Sequence, residues 1–258
     1  MRLFPRYRAL RLLRRHAIPD AAWFDVSRRM PLLQPLTAID KARLRQLATG
    51  FLHAKRFSGA QGLAINDEIR IAVAALACLP ILELGLDLYD GWVEIIVYPG
   101  AFLRQREAAD EIGVVHEEDR ALSGEAWGKG PLILSWEDVR RDSFTAHPGR
   151  NVVIHEFAHK LDMLNGRANG MPPLHPEMRI AAWTEALSQA YAQLRMHLEH
   201  QQHPHIDAYA ATDPAEFFAV ICEYFFTDPE TLHRHCAPVY GQLQRYFRQD
   251  PLQRYRYA

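Results

Sequence analysis

Cysteine is scarce in this 258-residue chain: Cys78, Cys222 and Cys236 stand far apart and no CxxC pair occurs. Three such thiols do not make a disulfide framework, and they fit a reducing compartment. Net charge is nearly absent too. Thirty basic against 31 acidic side chains leave −1, so no global pull towards nucleic acid or a membrane surface is expected. Long apolar runs are missing: the longest, 71–84, is interrupted by Pro80 and Glu83. It is too short to span a bilayer and reads as a buried core helix. No repeat and no Gly/Ser/Pro-rich linker marks a boundary, so one domain is expected over 1–258, with 1–38 as a basic lead-in. That lead-in carries arginines at 2, 6, 8, 11, 14 and 15 without an apolar h-region. It is therefore read as a surface segment packing Leu10, Leu12 and Leu13, not a secretory signal, and the chain is expected in the cytoplasm. What is plentiful is histidine, with 13 copies, ten of them from His147 onwards.

Apolar spacing predicts helices over 39–55, 67–79, 150–164, 177–198, 214–226 and 239–248. Asn66 before Asp67 and Glu68, and Asp213 before Pro214, are helix starts. Between the helical blocks, KRFSGAQGLAIN, WVEIIVYPGAF and GEAWGKGPLILSWEDV carry β-branched runs punctuated by Gly and Pro. They predict short strands, the last with two around Gly128 and Gly130 and then a helix near Asp138. The expected class is α+β: mainly helical, with a small antiparallel sheet.

Residues 151–162 read NVVIHEFAHKLD. In the HExxH pattern, His155 and His159 share a helix face and can reach one ion, while Glu156 is placed to take a proton from a metal-bound water. A chance HExxH in so histidine-rich a chain has a probability of roughly a few per cent, so context carries the weight. Val152, Val153, Ile154, Phe157, Ala158 and Leu161 make the helix apolar on most sides, hence buried. Two histidines and a glutamate buried there without partners would cost several kcal/mol, and an ion with its water accounts for them. Zinc in catalytic sites takes three protein ligands and a water. For the third ligand, Glu216 and Glu223 lie seven apart on one face of the 214–226 helix. Glu216 also falls where it would complete a capping box with Asp213, and chemistry alone leaves the two glutamates level. Asp162 suits a hydrogen bond to a ligand histidine better than ligation. The histidines at 197, 200, 203 and 205 read as a polar helix end, since no carboxylate or cysteine completes a site there.

HEFAHKLD together with YAATDPAEFFAVICEYFF resembles the Mlc titration factor A family of zinc peptidases. WVEIIVYPGAF, GEAWGKGPLILSW and AKRFSGAQGLAIN share that likeness, which covers roughly 40–250. The HEFxH and EFFA pieces are more distantly similar to the catalytic domain of anthrax lethal factor. The resemblance implies a zincin-like fold, with the glutamate that opens EFFA, Glu216, as third zinc ligand and Glu223 outside the ligand set. It implies that Tyr209 faces the substrate oxyanion. It further implies peptide or protein substrates with an aminopeptidase preference, and binding of the Mlc repressor that governs glucose phosphotransferase genes, with no DNA contact by this chain. A regulatory binding protein with secondary peptidase activity is the rival reading. A non-peptidase zinc amidohydrolase of the deformylase type is the weaker one, because its third ligand would be an upstream cysteine and Cys78 lies in the apolar 67–79 stretch.

Overall fold

The computed structural model describes residues 17–100 and 130–256. The arginines up to Arg15, the end of WVEIIVYPGAF and the strand expected at Gly128 lie outside the described residues.

Short helix α1 (Asp20–Ser27) leads to α2 (Ala38–Ala54), whose Thr37 cap accepts from the Asp40 N–H. Strand β1 (Arg56–Gly59) follows, then α3 (Asp67–Cys78), capped by Asn66 accepting from the Ile69 N–H as expected from its sequence. From Ile71 to Leu79 every residue of this region is at most 2% exposed, so the longest apolar run is indeed core and Cys78 sits within it. Strands β2 (Glu94–Tyr98) and β3 (Leu132–Ser135) complete the sheet. Ser135 then caps α4 (Trp136–Phe144) through the Asp138 N–H. The C-terminal half is helical: α5 (Val152–Asp162), α6 (Ile180–Glu199), α7 (Pro214–Thr227), α8 (Pro229–His235), α9 (Ala237–Phe247) and α10 (Pro251–Arg256).

The sheet corrects the antiparallel expectation. Its order is β1-β2-β3, and both pairs are parallel, with Phe57 opposite Ile95 and Val97 opposite Leu134. Parallel neighbours need crossovers of a dozen or more residues. The connections 60–93 and 99–131 supply that length, and the first contains α3. The mainly helical α+β class stands, with Ile95, Val97, Leu132 and Leu134 facing the core.

Two features hold α5 in place. Its inner face carries Phe157, which packs among Phe51, Tyr89 and Trp92 at ring-centroid distances of 5.6, 4.9 and 5.8 Å. Its flanking loops press against α7 through glycines. Gly149 (φ +74°) lies where a Cβ would meet the Tyr224 ring at 2.4 Å, and Gly170 (φ +79°) where a Cβ would meet the Pro214 carbonyl oxygen at 2.6 Å. Only glycine combines that backbone with so close an approach. The entry to α5 therefore meets the end of α7, and the exit from α5 meets its start: the two helices run antiparallel.

Candidate metal centre

Helix α5 begins at Asn151, whose side chain accepts from the Ile154 N–H at 3.0 Å. The next donors are also satisfied: Val152 N–H by Asp142 Oδ2 at 2.9 Å, and Asn151 N–H by Glu223 Oε2. Such carboxylates at a helix start are favoured by its unpaired N–H groups and its dipole. The turn after Asp207 carries Tyr209, and Asp213 then opens α7 by accepting from the Ala215 and Glu216 N–H groups at 2.8 and 2.9 Å. Glu216 uses its backbone for the cap and turns its carboxylate elsewhere, so the capping-box alternative does not describe it.

The elsewhere is α5. Nε2 of His155 and Nε2 of His159 are 3.2 Å apart, and Oε2 of Glu216 lies 3.1 Å from the first and 3.5 Å from the second. Tetrahedral zinc with bonds of ~2.0–2.1 Å would separate its ligand atoms by about 3.3–3.4 Å, so the observed triangle fits such an ion. Glu216 Oε2 is buried yet has no aligned hydrogen-bond partner, despite two ring nitrogens within reach. Three donor atoms thus converge on a common point more than they bond to one another. Among the described residues this is the group of three or more His, Cys, Asp or Glu side chains that could hold a metal ion.

The electrostatics favour a cation. Burial opposes charge on His155, but Glu216, Glu223 and then Glu156 outweigh it and raise the imidazole to about 10. Burial likewise pushes the Glu216 carboxyl up, and the two histidines more than offset it, holding it well below the usual carboxylate range. On the other side of the His155 ring, Nδ1 meets Glu223 Oε1 at 2.8 Å. Glu216 and Glu223 share a face of α7, as their spacing predicts, and they engage opposite nitrogens of one imidazole.

Glu156 is half-buried on the same helix. Tyr209 is 54% exposed, with its ring centroid 6.1 Å from that of His155. Burial of its hydroxyl end, then the neighbouring Glu216 carboxylate, raises that group well above its ordinary value, so it stays a proton donor. Asp162 is fully buried, but its Oδ2 accepts from the Asn169 and Gly170 N–H groups at 2.8 and 2.7 Å; this carboxylate braces the loop after α5, and among the described residues no histidine hydrogen bond accompanies it. The second histidine cluster points elsewhere: His200 meets the Met196 carbonyl, and His205 stacks on His235 at 3.5 Å. Cys78, which a deformylase-like site would need, is buried in α3 with its thiol raised by burial.

Two residues that hold the start of α5 escape sequence reasoning. Asn151 had a signal, since an asparagine directly before an apolar helix is a cap. Asp142 had none, because nothing in its neighbourhood announces that it meets the start of α5 ten residues later.

The glucose-regulated metallo-peptidase M90 family model matches residues 4–248. Mlc titration factor A of Salmonella arizonae is 44% identical over 241 residues, covering 92% of this chain and 95% of the relative. The protein of that name from Salmonella paratyphi B is 43% identical over 240 residues, covering 92% and 89%. With the match running through the strands, the HEFAH helix and the helix bearing Glu216, the chain belongs to the glucose-regulated metallo-peptidase M90 family.

Proposed function

We propose that this protein is a zinc-dependent peptidase in which His155, His159 and Glu216 hold the ion. The observation that carries the reading is the triangle of Nε2, Nε2 and Oε2 atoms with sides of 3.2, 3.1 and 3.5 Å. A bound zinc ion would supply Lewis acidity to a water and to the scissile carbonyl. Glu156 takes the water's proton and delivers it to the departing amine. The Tyr209 hydroxyl donates a hydrogen bond to the oxyanion that develops on the substrate carbonyl. Strand β3 is one of the two edges of the sheet among the described residues, and Lys160 of α5 ties its approach by donating to the Gly130 carbonyl at 3.3 Å. That edge is where we place an extended peptide. Family likeness alone supports an aminopeptidase preference, and the three scattered thiols support a reducing, cytoplasmic setting; among the described residues no helix is long and apolar enough to cross a membrane.

A second activity is favoured by the relatives' name, Mlc titration factor A. Carried to this chain, it supports binding of an Mlc-type repressor, with regulation exerted through that protein and no nucleic-acid contact here. Glu156→Gln separates the two activities. Peptide cleavage should vanish while repressor binding and zinc content persist; cleavage that survives the change contradicts the assignment of Glu156.

A further inference from the structure

Glu223 is the carboxylate of α7 that a three-ligand site leaves over. Its side chain is 8% exposed, and both oxygens are used. Oε1 faces His155 Nδ1 at 2.8 Å, and Oε2 accepts from the Asn151 N–H at the start of α5. An ionised carboxylate accepts at both oxygens, whereas a carboxamide of the same shape has one acceptor and one donor. The backbone N–H can only donate, so the arrangement is satisfied when Nδ1 carries hydrogen and donates as well. Once the ring gives up its second hydrogen, as a metal ligand must, that leaves Nε2 of His155 with a lone pair, aimed at the point shared with Nε2 of His159 and Oε2 of Glu216. One helix therefore holds both sides of the same ring: Glu216 beside Nε2, and Glu223, two turns later, at Nδ1.

Resting on the metal-centre reading above, we propose that Glu223 is a positioning residue: its carboxylate, shared between His155 Nδ1 and the Asn151 N–H, fixes the ring orientation and the Nδ1–H tautomer that makes His155 a ligand. The rival is a purely structural role as a cap for α5. Asp142 provides the matched control, since it accepts from the next N–H, Val152, without touching His155.

Glu223→Gln keeps the shape and removes one of the two acceptors. If the amide oxygen serves Asn151, the amide N–H faces Nδ1 and drives hydrogen to Nε2; if it serves Nδ1, two donors oppose each other at the helix start. The test is zinc affinity by chelator competition on the full chain, with histidine ¹⁵N NMR of the zinc-loaded protein and unfolding midpoints of the metal-free forms. Glu223→Gln should weaken zinc binding by roughly 10–100-fold, the range for lost partners of ligand histidines. Asp142→Asn should lower the midpoint and leave zinc affinity within about twofold. Wild-type His155 should show hydrogen on Nδ1. Equal zinc affinities for Glu223→Gln and wild type, or equal losses for Glu223→Gln and Asp142→Asn, overturn the positioning role and leave the metal centre standing. Should Glu223→Gln not fold, the wild-type spectrum decides: hydrogen on Nε2 of His155 overturns the proposal. A wild type whose zinc is unaffected by His159→Ala overturns the metal-centre reading itself and the proposal with it.

Discussion

Among the described residues two pairs of histidines lie close together, and they differ in everything except proximity. His155 and His159 meet nearly edge-on, with ring centroids 4.8 Å apart and planes at 82°, and their Nε2 atoms converge with a glutamate oxygen. His205 and His235 stack face to face at 3.5 Å and 16° on the exposed surface. The helix that carries the first pair is anchored by Phe157 in an aromatic cluster, and two carboxylates of α7 meet opposite nitrogens of His155. No carboxylate ion pair joins the second among the described residues, and neighbouring charge works against protonation: His235 is lowered by slight burial, then by His205 and Arg234. Closeness of imidazoles does not make a cation site; convergence of lone pairs and surrounding negative charge do.

That contrast can be broken at several points. The largest effect belongs to the ligands: His155→Ala, His159→Ala or Glu216→Ala should reduce zinc retention against a chelator by at least about 100-fold, while the double change His205→Ala/His235→Ala leaves it unaltered. A comparable loss in the stacked pair would erase the distinction. Next, Glu156→Gln should lower peptide turnover by about 10²–10⁴-fold with zinc content intact. Tyr209→Phe should follow at about 10²–10³-fold in kcat, again with normal zinc, as for removal of one oxyanion donor; an unchanged kcat would make Tyr209 an ordinary surface tyrosine.

Asp162 gives a pH-dependent effect. Burial raises its carboxyl, against the Gly170 and Asn169 N–H groups, which lower it. A carboxyl raised on folding adds stability below its unfolded value of ~3.9 and loses that contribution as pH rises through the folded value. In metal-free protein, the stability difference between Asp162→Asn and wild type should therefore move in favour of the variant as pH climbs from about 4 to 7. Urea midpoints measured across that range check the sign. The smallest effect is expected for His205→Ala alone, within about 0.5 kcal/mol of wild-type stability in the same assay, as for most surface substitutions.

Much of the centre could be read locally. The HEFAH spacing placed both imidazoles on one face, Asp213-Pro214 marked the start of α7, and seven-residue spacing put Glu216 and Glu223 on a common face of it. Asn66 and the apolar run behind it likewise announced α3 and its burial. What stayed hidden depends on contacts between distant segments. Which glutamate meets which nitrogen of His155 follows from the antiparallel docking of α5 on α7, and that docking rests on Gly149 and Gly170 approaching residues far along the chain. The sheet failed for the same reason. Composition announced short strands, but their parallel direction is set by the long connections between them. The short helix at 229–235 was missed as well, because its seven residues carry too little periodicity to stand out from the flanking helices. Asp162 was expected to bond a ligand histidine, and its backbone partners at 169–170 come from a loop that no helical spacing brings near.

The central claim is that Glu216, and not its neighbour on the same face, completes the zinc ligand set. Zinc content per chain, measured after equilibration with a competing chelator for wild type, Glu216→Ala and Glu223→Ala, tests it most directly. We predict that wild type keeps about one zinc, Glu216→Ala keeps almost none, and Glu223→Ala binds more weakly than wild type but more tightly than Glu216→Ala. Zinc retained by Glu216→Ala and lost by Glu223→Ala would contradict the assignment.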